Sequence, residues 1–233
     1  EAGAALGRVH CTISMEEALD GVQLIQESVP ERYEIKQAVL AQVDRLAGEQ
    51  VIYASSTSGL LISEIAKLSQ YPRRCIGAHP YNPPHLIPLV ELVGPAESGA
   101  AVETARQFYT LLGKEPVVLH QEAPGFIANR IQTAVAREII DLVVRGVCSV
   151  EDADKALTFG PGIRWAIMGQ NLLYQLGSPQ GIKGLYANVG GGKNKKSWLE
   201  DMARWTVYPE GWPELAQAGV DEAMSKRPPE LGN

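Results

Sequence analysis

VIYASSTSGLLISEIAKLSQYPRRCIGAH, residues 51–79, decides the fold. It opens on a short β-rich apolar run, VIYAS (51–55), and passes through the hydroxyl-rich SSTS (55–58) into a helical segment, LISEIAKLS (61–69). It closes on a second apolar run, CIGAH (75–79). Strand, helix, strand is the unit of a parallel sheet, because parallel neighbours need a crossover and a helix usually supplies it.

The same alternation extends in both directions. Upstream, ERYEIKQAVLAQVDRLA (31–47) carries Ile35, Val39, Leu40, Val43 and Leu46 at the spacing of an amphipathic helix. VQLIQE (22–27) reads as a strand, MEEAL (15–19) as a short helix and RVHCTI (8–13) as a first strand. Downstream, LVELV (89–93) and PVVLH (116–120) are predicted strands around a helix over 100–113 that Gly113 closes. Together these predict a largely parallel α/β sheet of Rossmann type. After APG (123–125) the pattern turns helical. FIANRIQTAVAREIIDLVVRG (126–146) is one long helix ending on Gly146, and SVEDADKAL (149–157) starts on a serine cap with acids in its first turn. The boundary is placed near residue 122, with an α/β domain over 1–122 and an all-α domain over 123–233. NVGGGKNKKS (188–197) has Asn194 after Lys193, fails the phosphate-loop pattern, and reads as a solvated turn.

A chain of 233 residues that is 45% hydrophobic can bury one good core or two modest ones. A net charge of −6 offers no basic field for a nucleic acid. Three widely spaced cysteines, Cys11, Cys75 and Cys148, suggest neither a disulfide framework nor a metal site. No apolar stretch approaches the roughly 18 residues of a membrane span, and the N-terminus lacks the layout of a signal peptide. A cytoplasmic, soluble protein is the expectation.

In an open α/β sheet, functional groups gather at the carboxyl ends of strands. Three such ends are polar: SSTS, His79, and Glu91 late in LVELV. Between His79 and Glu91 lies HPYNPPHLIPLVE, with four prolines, whose fixed φ is expected to keep the two strand ends in register. A histidine held by a carboxylate makes a general base. Ser58 and Asn129, early in the long helix, are candidates to hydrogen-bond a substrate oxygen. Each has an ordinary alternative, as a structural histidine, a helix cap or a surface asparagine.

IQESVPE, SSTSGLL, AHPYNPPHLIPLVELV, PGFIANR and GPGIRWAIMG occur in the order found in the 3-hydroxyacyl-CoA dehydrogenase superfamily, which the chain resembles from about residue 8 to about 185. The resemblance implies NAD as cofactor, a homodimer, and a His79/Glu91 pair that takes the hydroxyl proton while hydride leaves the same carbon. It implies that Ser58 and Asn129 align the reacting oxygen, and that Glu31, Lys36, Ser58 and Asn82 contact the cofactor. Arg164, in GPGIRW, matches the gulonate-type and carnitine-type members, and a guanidinium there could grip a free carboxylate. The expected substrate is therefore a small 3-hydroxy carboxylic acid. A 3-hydroxyacyl-CoA dehydrogenase is the nearer alternative and a non-catalytic, crystallin-like use of the fold the more distant one. No G-x-G-x-x-G follows a strand anywhere in the sequence, and FGPGIRW has two of the glycines but lies in the helical half. EAGAALG is thus expected to correspond to the middle of the family's nucleotide domain, in either a longer chain or a truncated one.

Overall fold

The computed structural model describes Gly3 and residues 6–183. Its elements run α1 (Met15–Leu19), β1 (Leu24–Glu27), α2 (Tyr33–Leu46), β2 (Ile52–Ser55), α3 (Ile62–Ala66), β3 (Cys75–Pro80), β4 (Leu89–Val93), α4 (Gly99–Leu111) and β5 (Glu115–Val118), then helices α5 (Ala128–Val144), α6 (Val150–Phe159), α7 (Pro161–Trp165) and α8 (Gln170–Leu176). Packing divides the chain into two compact units, Glu1–Glu138 and Ile139–Asn233.

In the first unit the five strands lie in sequence order, β1-β2-β3-β4-β5. The pairings β1/β2, β2/β3 and β4/β5 are parallel, and β3/β4 is antiparallel. The sheet is therefore Rossmann-like and predominantly parallel, with one reversal. That reversal corrects the reading of Glu91 as a strand-end residue: it lies in the middle of β4, directly across the ladder from His79. Residues opposite one another share a face of the sheet, so pairing register, and not the prolines of the loop, brings the two side chains together.

The period-two alternation of the strands sorts the core into two layers. Tyr53, Cys75 and Val93 point to the face covered by Leu40 and Val43 of α2 and by Ile62 and Ile65 of α3. Ile52, Ala54, Ile76, Ala78, Val90 and Leu92 point to the other face, against Ala101, Ala105 and Tyr109 of α4. Each fully buried aliphatic side chain contributes about 1.5–3 kcal/mol, and β2 and β3 are buried nearly throughout. Glu27, Ser55, His79 and Glu91 continue the first series, so the polar groups are gathered on the α2/α3 face by strand parity.

RVHCTI does not form the predicted strand. Val9 and Ile13 are exposed and the segment pairs with no strand among the described residues, so its β-rich composition meets nothing to pack on. The caps match the sequence at several points. Ser149 accepts from the amide of Asp152 at the head of α6, and Gly113 and Gly146 take the left-handed conformation that ends a helix. The Gly/Lys segment 188–197 lies outside the described residues.

Candidate active site

His79 Nδ1 is 2.9 Å from Glu91 Oε2, and both side chains are almost fully buried. A carboxylate can only accept, so neutral His79 carries its proton on Nδ1 and leaves the lone pair on Nε2. Nε2 has no hydrogen-bond partner among the described residues. It also retains solvent access, since Arg74 Nε is the one enclosed side-chain atom without a partner among them. The ring is gripped edge-on by Tyr81 (centroids 5.9 Å apart) and Phe126 (5.8 Å). These two edge contacts restrict the plane of the ring.

Glu91 is held from behind by the start of α5. Its Oε1 accepts from the amides of Ile127 (2.8 Å) and Ala128 (2.9 Å), donors that a helix start leaves unpaired. Burial pushes the Glu91 carboxyl up, but the His79 hydrogen bond and the Ala128 and Ile127 amides outweigh it, so the group sits below its ordinary range and stays ionised. The turn into α5 is made by Gly125 at φ 76° and Phe126 at φ 47°. A positive φ is unremarkable for glycine and strained for phenylalanine. The turn sets the Phe126 ring in edge contact with the imidazole and is followed by the two amides that meet Glu91.

The SSTS loop joins this group through close backbone contact. A Cβ on Gly59 would sit 3.3 Å from the amide nitrogen of Gly125, a tight approach, so glycine lets the β2–α3 loop and the turn before α5 meet without displacement. Across that contact Asn129 Nδ2 donates to the Ser58 carbonyl at 3.0 Å. The structure thus brings Ser58, His79, Glu91 and Asn129 together on one side of the sheet. The Asn129 amide is engaged with the loop, not held free in the site.

Of the cofactor candidates, Glu31 stays partly exposed and its Oε1 accepts from Thr57 Oγ1 (2.7 Å), the Ser58 amide (2.8 Å) and the Gly59 amide (3.2 Å). Burial pushes the Glu31 carboxyl up, and the bonds from Thr57 and Ser58 together with Lys36 bring it below its ordinary range. Asn82 is exposed in the β3–β4 loop. Lys36 is enclosed: its side chain is 1% exposed and lies 2.9 Å from Glu27 and 3.4 Å from Glu31. Glu31, Ser58 and Asn82 therefore keep some exposure, whereas Lys36 is enclosed behind Glu31. In the second unit Arg164 is exposed on α7 with no carboxylate partner among the described residues. A cavity of about 550 Å³ lies at the opposite end of the sheet, around Ile52 and Arg74.

Tyr81, Phe126 and Glu27 escaped the sequence reading. Tyr81 and Phe126 look like core residues in a one-dimensional pattern, and only the Pro-Gly step before Phe126 signals an unusual turn. Glu27 reads as an ordinary polar end to a strand.

A family model described as "3-hydroxyacyl-CoA dehydrogenase, NAD binding domain" matches residues 1–123, and one described as "3-hydroxyacyl-CoA dehydrogenase, C-terminal domain" matches residues 125–211. A 3-hydroxyacyl-CoA dehydrogenase of Gibberella moniliformis is 41% identical over 87% of this chain and 63% of its own length. An L-carnitine dehydrogenase of Streptomyces coelicolor is 38% identical over 97% of this chain and 70% of its own. The chain thus spans roughly two thirds of these relatives. Among solved structures, 5-formyl-3-hydroxy-2-methylpyridine 4-carboxylic acid 5-dehydrogenase, an NAD+ dependent dismutase, superposes with a TM-score of 0.71 at 31% identity, covering 92% of this chain and 74% of that one.

Proposed function

The chain belongs to the 3-hydroxyacyl-CoA dehydrogenase family, and on that premise we propose that it oxidises the 3-hydroxyl of a small hydroxy carboxylic acid with NAD. The observation that carries the reading is the His79–Glu91 pair, bonded at 2.9 Å with Nε2 left free as a proton acceptor. Bound NAD supplies the acceptor for the hydride that leaves the hydroxyl-bearing carbon. His79 Nε2 takes the hydroxyl proton as the carbonyl forms. Glu91, fixed by His79 and by the α5 amides, stabilises the imidazolium that results. Ser58, with Asn129 bonded to its carbonyl, sets the position of the reacting oxygen, and Glu31, Ser58 and Asn82 would hold the nicotinamide end of the cofactor, with Lys36 behind Glu31. We assign residues 1–122 to the cofactor and residues 123–233 to a helical part that serves the substrate and a homodimer contact.

Arg164 supports the choice of a free acid, because its guanidinium has no acidic partner among the described residues and matches a carboxylate in geometry and charge. The 41% identical relative named for acyl-CoA favours a second reading, oxidation of a 3-hydroxyacyl thioester. NAD reduction by this chain, followed by the absorbance of the reduced cofactor, with a panel of small 3-hydroxy acids and with 3-hydroxybutyryl-CoA, separates them. Turnover of an acid that Arg164→Met removes is the expected result. Turnover of the thioester alone, unchanged in Arg164→Met, would establish the second reading. In either case His79→Ala is expected to lower kcat by roughly 10²–10⁴-fold, and unchanged turnover would remove the mechanism.

A further inference from the structure

Behind the site lies a buried acid that the mechanism above does not use. Glu27, at the carboxyl end of β1, is 4% exposed. Its Oε1 accepts from the Val29 amide (2.7 Å) and Lys36 Nζ (2.9 Å), and its Oε2 from Ser55 Oγ (2.6 Å), Lys36 Nζ (3.2 Å) and Tyr53 OH (3.3 Å). A carboxylate so deep in the fold is satisfied by this density of donors and an enclosed cation. The cation does not stop at Glu27. Lys36 Nζ also reaches Glu31 Oε2 at 3.4 Å, and Glu31 Oε1 holds the Ser58 amide at 2.8 Å, the Ser58 hydroxyl at 3.3 Å and the Gly59 amide at 3.2 Å.

We propose that Glu27 is a positioning residue for the dehydrogenase reaction, acting through Lys36 and Glu31 to fix the Ser58 loop against Asn129. This rests on the function proposed above. One lysine serves two carboxylates, and only the inner one is anchored by strand side chains, Tyr53 and Ser55 of β2. The inner carboxylate therefore sets where Nζ lies, and Nζ sets where the partly exposed Glu31 lies. Glu31 in turn decides the polarity of Ser58. With the hydroxyl proton directed at Glu31, Ser58 Oγ faces a ligand as an acceptor, suited to the hydroxyl of the reduced substrate or to an amide N–H. The loop is gripped from the other side by Asn129 on its carbonyl, so it has a restraint in each direction.

Glu27→Gln tests the relay, because it keeps the shape and removes the charge that holds Lys36. Amide hydrogen exchange on this chain is read at Ser58 and Gly59, with β3 as the internal reference, next to kcat and KM for the hydroxy acid and NAD. The relay is expected to give about tenfold faster exchange at Ser58 and Gly59 with β3 unchanged. It is also expected to give roughly tenfold lower kcat/KM with an unmoved pH–activity profile, since His79 and Glu91 are untouched. Glu27→Asp, which keeps the charge on a shorter arm, should recover part of both. Unchanged exchange at Ser58 and Gly59, or equal acceleration in β3, would overturn the proposal. If Glu27→Gln fails to fold, wild-type protection at Ser58 and Gly59 no higher than that of exposed loop amides has the same force. Because exchange is read without turnover, a chain inactive on every hydroxy acid would refute the proposed function and leave this measurement standing.

Discussion

Glu91 uses its two oxygens in different directions, one on an imidazole and one on a helix terminus. Glu91→Gln cannot accept on both sides, since its amide nitrogen only donates, so it can serve α5 and His79 together only by moving the imidazole proton to Nε2. We expect kcat to fall by roughly 10²–10⁴-fold and stability by about 1–3 kcal/mol, read by turnover and urea unfolding at pH 7. The stability difference should itself depend on pH. The folded carboxyl titrates below its ordinary value of 4.5, so between those two values the unfolded chain binds more protons and the fold gains stability as pH rises. The advantage of wild type over Glu91→Gln is then fully present above 4.5 and lost as pH falls through the lower, folded value. Urea midpoints from pH 3 to 7 that stayed a constant distance apart would show that the ionised form is not what the α5 amides and His79 hold.

At the scale of elements, what was legible in the sequence was whatever local chemistry writes. The amphipathic spacing of Val39, Leu40 and Val43 gives α2, and Gly113, Gly146 and Ser149 mark helix ends where they fall. RVHCTI has strand composition without forming a strand, because composition carries no information about a pairing partner. The direction of β4 was equally illegible: LVELV reads the same whether it runs with β3 or against it, and the loop that decides is irregular. The candidate site residues are named as a set by resemblance alone, whereas the contacts among them depend on close approach of loops distant in sequence. Gly59 illustrates this, for its need to be glycine arises from the backbone of Gly125. Gly59→Ala should push those loops apart by a few tenths of an ångström, costing about 1 kcal/mol and lowering kcat/KM roughly tenfold by separating Ser58 from Asn129. Equal kcat/KM for the two proteins would mean that this contact does not set the geometry.

Across the first unit, stabilising charge and chemistry lie at opposite ends of the sheet. Asp44 and Arg74, paired at 2.7 Å and almost fully buried, tie α2 to the amino end of β3, while His79 stands at its carboxyl end. Breaking the pair with Asp44→Asn strands a buried guanidinium and should cost about 3–5 kcal/mol. The same variant is expected to keep wild-type KM and kcat at temperatures where it remains folded, as thermal melts and initial rates would show. A drop in kcat without loss of fold would mean that the two ends are coupled. The antiparallel ladder of β3 and β4 also bears on how such a protein can change over generations. Because His79 meets Glu91 by register, residues can be gained or lost between Tyr81 and Pro88 without separating the pair. A single-residue insertion inside Leu89–Val93 turns every following side chain to the other face. In related lineages, length variation should therefore accumulate in the proline-rich loop and be purged from the five residues after it.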